Sequence, residues 1–287
     1  MKKKQIAGIL APLLLLTAAA GCGKQADAGG EPDLPPPAGT EIVSDEKVPK
    51  AETPGETGGA AFALTEEELL ALPEDPADAY SYNEVDGNLR ILNRNGDSEI
   101  FVIPSMIDGK EVSQIAGRAF AMEDMKAVVI PETVTRIGKE AFLGCTELET
   151  VYVKGEALIE IGEKAFMICN SLSNIYLPDS ITMIEPTAFS GCEELKKIDV
   201  PDNLSVLRGS TFFSTGLEEI ELPSEMTEIE GASLANCPAL KYCAIPDSVK
   251  IIGVEAFTNS PNVIIVASPD SYAAQFAAEK GIKFQEA

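Results

Sequence analysis

The amino-acid sequence predicts an α/β repeat solenoid, a right-handed coil of short parallel strands closed by terminal caps. Three observations predict it. An aromatic or leucine anchor returns at Phe120, Phe142, Phe166, Phe189, Phe212, Leu234 and Phe257, at intervals of 22, 24, 23, 23, 22 and 23 residues. Aliphatic side chains keep a fixed phase to that anchor. Five residues before it stand Ile115, Ile137, Ile161, Ile184, Leu207, Ile229 and Ile252, and three residues before those stand Val112, Val134, Leu158, Ile181, Leu204, Met226 and Val249. A Leu-x-x-Ile-x-Leu-Pro run follows the anchor, clearest at residues 172–178, 195–201 and 217–223. Such self-similarity marks stacked units, each of which buries its apolar residues only against its neighbours.

The chain begins with an export signal. Lys2, Lys3 and Lys4 form a basic start, residues 6–16 an apolar stretch, and Thr17 to Cys22 a run of small residues. That order reads as a secretory signal over residues 1–21. Its apolar part is shorter than the ~20 residues a spanning helix takes. The ending resembles a bacterial lipobox, which implies that Cys22 is acylated on its thiol and becomes the new amino terminus. Ala19 stands where that motif usually has Leu. The competing reading is ordinary cleavage near Ala20, with Cys22 a free thiol.

Residues 22–62 carry the proposed lipid and a tether rich in Gly, Pro, Ala, Glu and Asp, with Pro35-Pro36-Pro37 inside it. Such composition buries too little apolar surface to offset the entropy of ordering, which predicts disorder. A flexible linker of about 37 residues has an r.m.s. span of roughly 30–35 Å. Residues 63–81 form a lead-in. Thr65 followed three residues later by Glu68 is a capping-box pattern, which predicts a short helix over 66–72 ended by Pro73. Residues 82–111 form the first cap, with a hairpin predicted between 89–92 and 100–103 around Asn95-Gly96. The solenoid occupies 112–262. Residues 263–287 form the last cap, a helix from Ser271 and a strand at 281–284.

Within each repeat the Leu-x-x-Ile-x-Leu run alternates, so it predicts a strand with its aliphatics inward. Pro ends it because it has no N–H for the ladder. A period of 20–29 residues carrying this run is a leucine-rich-repeat signature. Copies such as Leu177-Pro178 through Ile184 to Ala188-Phe189 and Cys192 resemble the BspA-like leucine-rich-repeat family of bacterial surface proteins, over about residues 82–284. The resemblance implies an exported protein with a role in adhesion or host contact. Lys154 in place of Pro, and Thr211 and Thr215 in place of Ala and Cys, depart from the pattern.

Composition narrows the function. The chain of 287 residues carries 22 basic and 46 acidic side chains, a formal charge of −24, with neither His nor Trp. So acidic a surface repels nucleic acid and anionic headgroups, leaving the lipid on Cys22 as the sole route to a membrane. Without His there is no Ser-His-Asp or Cys-His arrangement. No P-loop, GxGxxG or EF-hand loop occurs. Paired carboxylates could still serve glycoside hydrolysis, but Asp and Glu are too abundant here to single out a pair. The expectation is a binding protein with no cofactor and no metal.

Six cysteines are present. Cys145, Cys169, Cys192 and Cys237 each follow an anchor by three residues, and Cys243 takes a strand position held elsewhere by Ile. Packing accounts for that phase. A Cys145–Cys169 or Cys169–Cys192 bridge is also compatible with coil spacing.

Stacking turns equivalent strand positions into columns. One runs Val129, Tyr152, Tyr176, Asp199, Glu221, Ala244; a second Ala127, Thr150, Asn174, Lys197, Glu219, Tyr242; a third Lys126, Glu149, Ser173, Lys196, Glu218, Lys241. The third is expected to make a ladder of cross-strand charge pairs. The candidate binding face on the concave side comprises Tyr152, Tyr176, Asn174, Asp199, Lys197, Glu219, Glu221 and Tyr242, open to a protein or a glycan. Adjacent tyrosines offer the rigid amphipathic contact that interfaces favour. The alternative role is a scaffold for cell-envelope assemblies with no extracellular ligand.

Overall fold

The computed structural model describes residues 65–287. The expected signal segment, the proposed lipid site Cys22 and the expected tether lie outside them.

The chain opens with α1 (Glu66–Leu70). Thr65 caps it: its hydroxyl accepts the Glu68 N–H, and the Glu68 carboxylate accepts the Thr65 N–H, so two donors at the helix start are satisfied at once. Then come β1 (Tyr80–Val85) and β2 (Asn88–Arg94), an antiparallel pair. Here the structure corrects the sequence reading. The hairpin turns at Asp86-Gly87, not at Asn95-Gly96. Both Asp86 (φ 51°) and Gly87 (φ 86°) adopt the positive φ that a two-residue hairpin turn demands. Residues 89–92 and 100–103 instead enter different sheets, because each finds a parallel partner in the next coil.

From there each coil supplies one longer and one shorter strand. β3 (Ile100–Val102) is followed by β4 (Met106–Ile107) and β5 (Lys110–Ile115); β6 (Ala127–Ile130) by β7 (Arg136–Ile137); β8 (Thr150–Val153) by β9 (Glu160–Ile161); β10 (Asn174–Tyr176) by β11 (Met183–Ile184). After residues 196–200 comes β12 (Val206–Leu207). Then follow β13 (Glu219–Glu221) and β14 (Glu228–Ile229), β15 (Tyr242–Ala244) and β16 (Ile251–Ile252), and finally β17 (Ile264–Ala267), α2 (Tyr272–Lys280) and β18 (Lys283–Glu286). The longer strands run side by side as β3-β6-β8-β10 and β13-β15-β17-β18; the shorter ones continue β2 and β5 through β7, β9 and β11, then β12, β14 and β16. Only two α-helices occur among the described residues, so the chain is a β-solenoid of stacked parallel strands and the expected α/β character is not found.

The anchors form the core. Phe120, Phe142, Phe166, Phe189 and Phe212 are fully buried. Their rings follow one another at 5.1, 5.0, 5.4 and 5.6 Å between centroids. Offset stacking of this kind adds ~0.5–1.5 kcal/mol per pair beyond area burial. Backbone bonds between coils reinforce it: the N–H of Phe120, Phe142 and Phe166 donates to the carbonyl of Ala141, Ala165 and Ala188 respectively, each at 2.8 Å. That geometry holds non-glycine residues at positive φ two places before the anchor, at Arg118, Glu140, Lys164, Thr187, Ser210 and Ala232. Each such residue costs ~1–2 kcal/mol, which the inter-coil bonds and the core offset.

The cysteines lie in the same interior. All five described are free thiols. Cys145, Cys169, Cys192 and Cys237 donate to the carbonyls of Phe120, Phe142, Phe166 and Phe212 at 3.0–3.2 Å. Their phase is thereby explained without a bridge: each thiol adds a second bond to an anchor carbonyl that already accepts one within its own turn. Burial pushes the thiols of Cys192 and Cys243 up to about 12.

One coil breaks the pattern. Residues 196–200 belong to no ladder, although the sequence predicts a strand there. The next coil is one residue short: Thr215 is followed by Leu217 after a single residue, a spacing shared with the first copy (Glu123-Asp124-Met125), where the remaining copies have two. Gly216 spans that shortened turn so closely that a Cβ on it would lie 2.0 Å from the Glu193 carbonyl oxygen. At that turn the chain passes close against residue 193.

At the amino end, Asp75 fixes the lead-in. Its carboxylate accepts from Tyr80 Oη (2.7 Å), Arg94 Nε (3.0 Å) and the Val102 N–H (3.3 Å). The Arg94 guanidinium also lies 4.2 Å over the Phe101 ring. This ion pair is nearly buried, with 6% of the Arg94 and 15% of the Asp75 side chain exposed. At the other end α2, capped by Ser271 and ended by Gly281 at φ 67°, lays Ala273, Phe276 and Ala277 on the last coil.

Candidate functional site: the face of the longer strands

Strand register sets out this face. Val129 pairs with Tyr152 and Tyr152 with Tyr176; Glu221 pairs with Ala244. Ala127, Thr150 and Asn174 align, as do Glu219 and Tyr242. The columns expected from the repeat therefore exist on either side of the unladdered coil.

The two ends of the face differ. At the amino end Ala127 (0% exposed) and Val129 (1%) are buried, contrary to their expected exposure. Helix α1 covers them. Leu69 packs with Val102, Ala127 and Val129, and Leu72, Ile100 and Tyr152 flank the cluster. Tyr152 Oη donates to Glu66 Oε1 at 3.0 Å, across 86 residues of sequence. Burial, and then this bond, raises the phenol above its ordinary range. Tyr152 is consequently half-covered, while Tyr176 remains exposed with its ring centroid 5.2 Å away. The sequence offered a signal for this cover: an isolated capped helix of five residues is not stable in water, so Leu69 had to dock somewhere. Burying it stabilises by roughly 2 kcal/mol, about what ordering one or two residues costs. Helix α1 is held by little.

At the carboxyl end the face is open and charged. A groove of about 640 Å³ crosses three coils. Lys197 and Asp199 line it from the unladdered coil, Glu219 and Glu221 from β13, Tyr242 and Ala244 from β15, with Asp202 and Ser224 at the rim. Five of the eight predicted residues thus meet around one opening. Asn174, Tyr152 and Tyr176 do not line it; they stand on the preceding coils. Small Ala244 opposite Glu221 leaves room in the first column, a consequence of register that no single repeat shows. Asp202 and Ser224, beyond the strand-ending prolines, were not anticipated.

Electrostatics divide the charges. Lys197 Nζ lies 4.0 Å from Glu219 Oε1. Lys241 donates to Glu218 at 2.9 Å, which holds the Glu218 carboxyl below and the Lys241 ammonium above their ordinary values. Lys196 pairs with Glu194 of its own coil at 3.5 Å, so the expected Lys196-Glu218-Lys241 ladder forms only in its second half. All of these groups are exposed, and such pairs contribute little to stability. What they supply is a hydrogen-bonding surface: carboxylate acceptors, an ammonium donor and phenols of both characters. Among the described residues no group of three or more His, Cys, Asp or Glu is placed to hold a metal ion, and no helix is long and apolar enough to cross a membrane.

Comparison with known proteins places the architecture. The model of the BspA-type leucine-rich-repeat region matches six copies, over residues 113–241 and 153–264. A leucine-rich cell surface protein from Faecalibacterium prausnitzii is 30% identical with a TM-score of 0.62; the match covers 70% of this chain and 56% of that one. The chain therefore spans little more than half of that relative. A leucine-rich-repeat protein from T. pallidum is 27% identical with a TM-score of 0.65, over 74% of this chain and 98% of that one. No curated, characterised protein matches. Six matched copies over the solenoid, and two solved relatives with the same stacked strands, show that the chain belongs to the BspA-type leucine-rich-repeat family.

Proposed function

We propose that this is an exported, lipid-anchored surface protein that binds a protein or glycan partner on the open part of its longer-strand face, in adhesion or in host or envelope contact. The observation that carries the reading is the groove of about 640 Å³ flanked by Lys197, Asp199, Glu219, Glu221 and Tyr242. A rigid repeat presents these groups at fixed spacing, so little conformational entropy is lost when a partner meets them. Tyr176 and Tyr242 add aromatic contact at either side. In this reading α2 and the β1–β2 hairpin act as caps, and Cys22 holds the protein to its membrane.

The test is a binding screen of the purified chain against matrix proteins, glycans and cell-wall polymers. Tyr176→Ala with Tyr242→Ala should weaken the partner found by at least tenfold while the thermal midpoint stays within error. Undiminished binding by that double variant would put the site elsewhere. Cys22→Ser should release the protein from membranes into the soluble fraction.

A further inference from the structure

The part of this face nearest the amino end already has an occupant, and the occupant is weakly held. Helix α1 contributes one buried side chain, Leu69, to the apolar strip of Val102, Ala127 and Val129, and one side-chain bond, Glu66 to Tyr152. The three glutamates of its first turn are otherwise exposed. Five residues beyond the helix, across Pro73, the chain is fastened independently. The Asp75 N–H donates to the Val102 carbonyl at 2.8 Å, and the Asp75 carboxylate takes Tyr80 and Arg94. Releasing α1 therefore breaks none of the contacts at Asp75. Release would uncover an apolar strip continuous with the Tyr152–Tyr176 pair, whose rings lie 5.2 Å apart.

We propose that α1 is a displaceable cover. In the closed state it masks the apolar end of the binding face and confines partners to the charged groove. In the open state it frees Tyr152 and the strip beneath Leu69, for a partner carrying an amphipathic helix of its own. A partner that needs the strip must compete with α1; one that uses the groove alone need not. The proposal extends the binding reading of this face, but its test requires no ligand and so fails or succeeds separately.

Hydrogen exchange on the whole chain supplies the first readout. The amides of Leu69 and of Ala71, which caps the end of α1, should exchange within about tenfold of the unprotected rate, and those of residues 127–130 at least about a thousandfold more slowly. Second, Leu69→Asp should raise the fluorescence of an apolar-surface dye several-fold while residues 127–130 stay protected. Tyr152→Phe, which removes only the bond to Glu66, should speed α1 exchange without altering the strands. Protection of α1 equal to that of residues 127–130 would overturn the proposal. So would loss of strand protection in Leu69→Asp, or an unchanged dye signal there, because either makes α1 a fixed part of the fold or leaves nothing for it to cover.

Discussion

The amino and carboxyl ends of one sheet face are built from the same repeat and behave as opposites. At the first, equivalent positions carry Ala127 and Val129, and the chain folds its own helix over them. At the second they carry Lys197, Asp199, Glu219 and Glu221, and the face stays open around a groove. The difference teaches that a repeat fixes where side chains stand and leaves their chemistry free. An apolar surface seeks cover from whatever segment can reach it, whereas a charged one keeps its water.

The comparison can be tested from the inside outward. Phe166→Ala, in the stack beneath both ends, should cost about 3–5 kcal/mol and lower the denaturation midpoint of the whole solenoid. If only one half loses cooperativity, the unladdered coil separates two folding units. Asp75→Ala strikes the covered end alone. It leaves the nearly buried Arg94 without its carboxylate and should cost about 3 kcal/mol, read by chemical denaturation. A result near zero would mean that Arg94 finds water.

Gly216→Ala strikes the open end. A Cβ cannot fit 2.0 Å from the Glu193 oxygen, so the turn must shift, at about 1–3 kcal/mol. Partner binding at the groove should weaken with it, and unchanged stability would mean that the turn relaxes without cost. The buried thiols predict a pH response. An unfolded thiol ionises near 8.5, whereas Cys192 and Cys243 are raised to about 12 when folded. Folding therefore favours the protonated form. Its contribution is intact below about pH 8.5 and is lost as pH rises toward 12, by roughly 1 kcal/mol per pH unit for each thiol. Denaturation at pH 7 and pH 10 measures this, and a thiol reagent should label these residues only after unfolding. Smallest of all is Lys241→Gln at the open end. It removes an exposed pair, and its melting temperature should match the parent within error.

Much of this architecture could be read from the chain. The anchor period located the core because side chains some 23 residues apart must stack if any are to be buried. The capping box at Thr65 gave α1, and the register gave the columns, since alternation in a strand admits one inward set. Two readings failed for one reason. Asn95-Gly96 and Asp86-Gly87 both satisfy hairpin chemistry, and the choice between them lies in which neighbours the flanking strands find. Residues 196–200 carry a sound strand pattern, yet they enter no ladder, because a ladder needs partners at the right distance and the local pattern does not record whether the neighbouring coils supply them.

The sequence by itself determined the repeat, the identity of the buried anchors, the acidic surface and the order in which columns of side chains face outward, because all of these follow from local periodicity and composition. The tertiary structure alone decided which part of the outward face is covered, how Asp75 gathers Tyr80 and Arg94, and where five of the predicted residues enclose a groove. Those depend on contacts between segments as far apart as Glu66 and Tyr152, and a local pattern carries no record of distance across the fold.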